Sequence, residues 1–203
     1  GPNGEYLCSA SKETAERIVD TAKRLGYKKN MAASSLRSGF SNTLGIVVAD
    51  ISNSFFGEVC RHIENISARA GYLSIFGSSD DNPEKMCQLL NRFIATGVDG
   101  LIVAPCAHTE KLLSDIVRNS VPVVIFDRDL ENLAGVGKVM MDNEYAGRQA
   151  TRHLIENGHK KIEMVRYQSD IPTILQRITG YRKEMEENGL ACYVKDNIIS
   201  KPT

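Results

Sequence analysis

From residue 43 onward, short runs of consecutive apolar residues alternate with segments whose apolar positions recur every three or four residues. Leu44–Ala49 is a continuous apolar run of the kind a strand buried on both faces shows. The segment from Phe55 to Ala70 follows, with Phe56, Val59, Ile63, Ile66 and Ala70 on one helical face and Gly71 as its stop. Leu73–Gly77 reads as a second strand. Asn82, Pro83 and Glu84 then supply a cap, a first-turn proline and an acid for a helix ending at Thr96, before Gly97. The same cycle predicts a strand over 100–104, a helix over 109–119 and a strand over 121–126. A short strand over 139–141 and a helix over 143–157 come next, then a strand over 161–167, a helix over 173–188 and the start of a strand at 197–199. Strands alternating with helices of this length specify an α/β fold built on a parallel, helix-covered sheet.

Residues 1–42 differ in kind. Ser11 and Thr14 frame the start of a helix over 12–25, with Ile18, Val19, Ala22 and Leu25 on one face and Gly26 closing it. A polar stretch separates Asn30 from Thr43, and within it residues 30–37 have the length of two helical turns. A helix that short is marginal in water unless something else holds it.

Composition sharpens this picture only locally. The chain has 203 residues, 42% hydrophobic and 25% charged, and its 25 basic residues equal its 25 acidic ones. Whole-chain charge therefore selects no polyanionic partner. Residues 1–42, however, carry seven bases and four acids, a basic segment on a mildly acidic body. No apolar run approaches the roughly 18 residues of a membrane span, and no secretory signal is visible at the start. Five cysteines (Cys8, Cys60, Cys87, Cys106, Cys192), odd in number and without a CxxC pair, read as reduced thiols of a cytoplasmic protein without a bound metal.

Catalytic patterns are missing. There is no GxGxxG, no P-loop, no HExxH and no GxSxG elbow, and the four histidines lie far apart. A phosphoacceptor receiver needs an Asp closing the third strand, where this chain has Ala104-Pro105-Cys106. Asp50 and Asp127 instead close the first and fourth strands. Ligands of open parallel sheets bind outside the carboxyl ends of the strands, where Asp50, Asn53, Ser78, Ser79, Asp127 and Arg128 fall. Such groups suit a hydroxyl-rich small molecule, with Phe55 and Phe56 offering an apolar wall or, equally, starting a core helix.

In this order the segments resemble the transcription regulators of the lactose-repressor and purine-repressor (LacI) family. Residues 11–18 resemble the entry to the third helix of that family's headpiece. Leu25-Gly26-Tyr27-Lys28-Lys29-Asn30 resembles the link onward, and Ala33-Ser34-Ser35-Leu36-Arg37-Ser38-Gly39 resembles the hinge helix. Asp50-Ile51-Ser52-Asn53-Ser54-Phe55-Phe56, Val98-Asp99-Gly100-Leu101-Ile102 and Val121-Pro122-Val123-Val124 follow. Asp142-Asn143, His153–His159 and Gly180-Tyr181 complete the series.

The resemblance implies a periplasmic-binding-protein-like, Rossmann-like parallel lobe with a partial second lobe. It divides the chain into a headpiece remnant (1–29), a hinge (30–42), an N-terminal effector lobe (43–160) and the start of a C-terminal lobe (161–203). The family's recognition helix would precede residue 1, and most of its second lobe would follow residue 203. Ser34 stands where the family often has Arg. The resemblance further implies a cytoplasmic homodimer that binds palindromic operator DNA through Asn30, Ala33, Leu36 and Arg37. Leu36 would be the apolar wedge in the minor groove. A small polar effector, a sugar by this resemblance, would meet Phe55, Phe56, Asp127 and Arg177, with no cofactor, metal or catalytic residue. The competing readings are a solute-binding protein for import, which shares the two-lobed architecture, and an α/β enzyme.

Overall fold

The computed structural model describes residues 11–26, 39–130, 132–167 and 171–199. Two compact units divide at residues 41 and 42. In the first, α1 spans Lys12–Arg24. Ser11 opens it as anticipated, its Oγ accepting from Thr14 N–H at 3.3 Å. Ile18, Val19 and Leu25 share the expected face and are exposed. Residues 30–37, expected to form a short helix, lie outside the described residues.

The second unit contains β1 (Thr43–Val48), α2 (Ser54–Arg69), β2 (Leu73–Ser78), α3 (Pro83–Ala95), β3 (Gly100–Val103), α4 (Glu110–Arg118), β4 (Val123–Phe126) and β5 (Gly137–Val139). Then come α5 (Asn143–Glu156), β6 (Glu163–Tyr167), α6 (Pro172–Glu187), a 3-10 turn at Ala191–Tyr193 and β7 (Lys195–Ile199). Side chains cap the helices where short polar residues precede apolar periodicity. Asn53 Oδ1 accepts from Phe55 N–H at 3.0 Å, Asn82 Oδ1 from Lys85 N–H at 2.9 Å, and Asp142 Oδ1 from Tyr145 N–H at 2.8 Å.

The first five strands form an all-parallel sheet in the order β2-β1-β3-β4-β5. Its chain path reverses between β1 and β3, and such a switch point opens a crevice at the carboxyl edge of the sheet. Helices cover both faces. On one, Phe56 and Cys60 of α2 pack on Ile46, Val48 and Ala104. On the other, Met86, Leu90 and Phe93 of α3, with Leu113 and Ile116 of α4, pack on Val47, Leu101, Val103 and Ile125. The strand expected at 139–141 is corrected to Gly137–Val139. β5 is an edge strand whose place is set by the backbone ladder to β4, where Val124 pairs with Gly137 and Phe126 with Val139. The apolar Met140 and Met141 that drew the expectation are exposed beyond it.

A smaller parallel pair, β6-β7, lies apart from this sheet. Ile162, Tyr181 and Met185 make its buried cluster, joined by Ile155 of α5. The Tyr181 hydroxyl donates to Ile162 O at 2.7 Å and accepts from Lys195 N–H at 2.9 Å, tying the starts of both strands to α6. Because α5 packs on α6, the expected boundary between residues 160 and 161 falls inside this packed group.

α5 and α6 meet main chain to main chain. A Cβ at Gly147 would overlap the carbonyl oxygen of Arg177, and one at Gly180 would overlap that of Glu144. Beside this crossing Glu184, 3% exposed, receives Arg152 Nε at 2.8 Å and Arg148 Nε at 3.1 Å. The Arg152 hydrogen bond, with the two positive charges, holds the Glu184 carboxyl below the ordinary range despite burial. A carboxyl lowered on folding adds stability above its unfolded pKa, and this is lost as pH falls through its folded pKa. In urea melts Glu184→Gln should therefore be less stable than wild type at pH 7. The two curves should converge as pH drops below about 4, near the ordinary carboxylate pKa. A difference that stays constant with pH would show that the charge of Glu184 contributes nothing.

Candidate functional site

At the carboxyl edge of the large sheet, the chain leaves β2 and β4 through strained turns. Asp80 and Asp81 have φ of +52° and +56°, and Asp127 has +65°. Left-handed backbone at non-glycine residues costs roughly 1–3 kcal/mol and persists only where surrounding structure imposes it. Here it is imposed. Arg128 N–H donates to Phe126 O at 2.7 Å, closing a three-residue turn about Asp127, while Asp127 N–H donates to Val139 O at 3.1 Å. After β2, Ser79 and Asp81 N–H groups donate to Val48 O at 2.9 Å and Ala49 O at 3.2 Å, folding that loop over the end of β1.

These turns bring charged groups together out of water. Arg128, 11% exposed, forms an ion pair with Asp81 and has its Nε 3.7 Å from Asp127 Oδ2. That buried Nε has no hydrogen-bond partner among the described residues. Burial pushes the Asp127 carboxyl above its ordinary range. Arg128 and then Arg177 pull it back, and Asp81 adds to the rise. Arg177 of α6 is therefore an electrostatic neighbour of Asp127, though 50 residues separate them in the chain. Its Nε donates to Asn143 Oδ1 at 2.8 Å. Beneath the cluster lies Cys106, whose Sγ is 3.4 Å from Ser79 Oγ and whose thiol burial pushes up.

Of the sequence-derived candidates, Asp127 lies against Arg128, and the charge of Arg177 is near enough to pull its carboxyl down. The phenylalanine pair is divided: Phe56 is 4% exposed and stacks edge-on against Phe126 with ring centroids 6.1 Å apart, as core. Phe55, 44% exposed and 5.1 Å from the Phe56 ring, is the one that presents a face to solvent. Asp50 and Asn53 stand at the end of β1 as expected, but Asp50 Oδ1 accepts from Ser52 and Asn53 caps α2. Asn30, Ala33, Leu36 and Arg37 lie outside the described residues. Asp81 and Asn143 went unnoticed as site residues. For Asp81 the available signal was its position just past a strand end; for Asn143 there was none beyond its place at a helix start.

Such a cluster can accept from and donate to one small molecule at once. Paired carboxylate and guanidinium groups match vicinal hydroxyls, and charge assistance strengthens each bond. No nucleophile activated by a neighbouring base is formed among these residues, and among the described residues no group of His, Cys, Asp and Glu could hold a metal ion. No described helix is long and apolar enough to cross a membrane.

Comparison with known proteins places the chain in a family. Catabolite control protein A of Priestia megaterium is 34% identical over 187 residues, which are 92% of this chain and 55% of that protein. The chain spans about half the length of the curated relatives it matches. Among solved structures, the Cra transcriptional dual regulator of Pseudomonas putida in complex with fructose 1-phosphate is 25% identical with a TM-score of 0.71. That match covers 78% of this chain and 58% of that one. A LacI-family regulator of Silicibacter pomeroyi, 22% identical, shares the fold over 94% of this chain and 57% of its own, with a TM-score of 0.74. A family profile described as periplasmic binding proteins and sugar binding domain of LacI family matches residues 41–201. With the 2-1-3-4-5 parallel sheet and the charged cluster at its carboxyl edge, that match makes the chain a member of the family of periplasmic binding proteins and LacI-type sugar-binding domains.

Proposed function

We propose that this chain is the effector-sensing part of a cytoplasmic, homodimeric transcription regulator, not an enzyme, and that its effector is a small hydroxyl-rich molecule of the sugar class. The observation that carries this reading is the Asp81–Arg128–Asp127 cluster at the carboxyl edge of the sheet, with the charge of Arg177 acting on Asp127. Asp127 and Arg177 engage the hydroxyls, and Phe55 covers an apolar ring face. Arg177 belongs to the group packed on β6-β7 and Asp127 to the large sheet, so a ligand touching both stabilises one arrangement of the two. A ligand shifts an equilibrium only by its differential affinity for the states. The state it selects sets whether the segment 30–42 is ordered on operator DNA through Asn30, Ala33, Leu36 and Arg37. The regulators among the relatives, and the basic character of residues 1–42, support the DNA-binding half of this reading.

The test is a thermal-shift screen of the intact protein against D-fructose, D-ribose and fructose 1-phosphate, followed by operator binding with and without each compound that raises stability. Binding to the native state at 100 times Kd adds about 2.7 kcal/mol. A stabilising sugar that also changes operator affinity is the expected result. A protein that binds operator identically with and without a bound sugar would defeat the coupling.

A further inference from the structure

We infer that Asn143 is the positioning residue for Arg177: its buried amide fixes the direction in which the guanidinium faces the ligand. The inference rests on the reading of Arg177 as a ligand contact. Asn143 is only 2% exposed, although it is the first residue of α5, a place where polar side chains ordinarily face water. Both ends of its amide are occupied. Nδ2 donates to Met141 O at 3.1 Å, and Oδ1 accepts from Arg177 Nε at 2.8 Å. The orientation of the amide is therefore determined. Arginine has only donors, so the oxygen must face it, and the carbonyl of Met141 requires the nitrogen on the other side.

Consider what this leaves of Arg177. The Nε–H is taken, and among the described residues the two terminal nitrogens have no hydrogen-bond partner, so they form a fork whose direction the Asn143 bond fixes. A fork held in one direction loses less side-chain freedom when it meets paired hydroxyls than a free arginine would. Arg177 is anchored at its other end as well. Gly147 lacks the Cβ that would strike the Arg177 carbonyl oxygen and lie 3.0 Å from its Cα, so the backbone of residue 177 rests directly on α5 four residues beyond Asn143. One helix thus holds Arg177 at the main chain and at the guanidinium.

Two measurements on the intact protein test this. In a side-chain 1H–15N spectrum, the Arg177 Nε–H should be slow to exchange in wild type and in Asn143→Asp, which keeps an acceptor. It should exchange rapidly in Asn143→Leu, which fills the space without one. A rapidly exchanging Nε–H in wild type overturns the inference without any variant having to fold. The second measurement is a double-mutant cycle by calorimetry with D-fructose and fructose 1-phosphate as probes. Arg177→Ala and Asn143→Leu should each weaken binding about tenfold or more, the scale of one charge-assisted hydrogen bond. Their combination should be no weaker than Arg177→Ala within about twofold, because Asn143 acts only through Arg177. Asn143→Asp keeps the acceptor for Arg177 but turns an oxygen toward the Met141 carbonyl, so it should bind more tightly than Asn143→Leu and no more tightly than wild type. Fully additive losses, or unchanged affinity in Asn143→Leu, overturn the positioning role. Unchanged affinity in Arg177→Ala, or wild type that binds neither probe, overturns the ligand reading on which it stands. The exchange measurement then still reports whether Asn143 holds the guanidinium.

Discussion

Gly180→Ala is expected to lower the stability of the second unit by about 3 kcal/mol, the upper end for forcing extra atoms into a packed site. Its new methyl group would meet main-chain atoms of α5: the carbonyl oxygen of Glu144 and, at 2.9 Å, the amide nitrogen of Arg148. Flexible side chains can move aside, but helical backbone moves only with its whole helix. Gly147→Ala meets the same obstacle in the Arg177 backbone and should lose a similar amount. Gly57→Ala is the control, since nothing lies within 4 Å of a Cβ there; in the first turn of α2 it should be at least as stable as wild type, gaining about 0.5 kcal/mol. Urea melts of the three variants measure this. Equal stability of Gly180→Ala and wild type would mean that the helices do not touch through their main chains.

Asp127→Asn should separate stability from binding. Burial raises the Asp127 carboxyl, so the folded state favours its neutral form. A carboxyl raised on folding contributes fully below its unfolded pKa, and that contribution is lost as pH rises through the folded pKa. At pH 7 wild type therefore carries the cost of a desolvated charge that asparagine does not. The variant should melt at a higher temperature at pH 7, and the gap should close as pH falls through the carboxylate range. Affinity for a stabilising sugar should meanwhile fall about 10- to 100-fold, because a charge-assisted acceptor becomes a neutral one. Strained turns and desolvated charge are common where function opposes stability. A variant that is less stable at pH 7 would show instead that the pairing with Arg128 outweighs the burial.

Much of the α/β framework was readable from residue pattern because its determinants are local. The Leu44–Ala49 run became β1, and the Asn82-Pro83-Glu84 signal became the cap of α3. The misplaced β5 shows the limit: an edge strand carries little hydrophobic signal, and its register comes from the neighbouring strand. The site was half legible. Asp127 was visible as a polar residue closing a buried strand, and its placement beside Arg177 came only from the family resemblance. Asp81 pairs with Arg128 across 47 residues, and Asn143 with Arg177 across 34. No period or spacing in a single chain encodes contacts of that range. Phe55 and Phe56, adjacent on a helix, point about 100° apart, so only one of them can face the core.

The glycine crossing of α5 and α6 has a mechanical side. Where two helices are separated by a layer of side chains, rotamers can absorb a small displacement and one helix can slide past the other. Gly147 and Gly180 remove that cushion, and each notch seats the opposite backbone. The two helices are then coupled as one rigid body, so a displacement imposed on Arg177 is shared by both without slack.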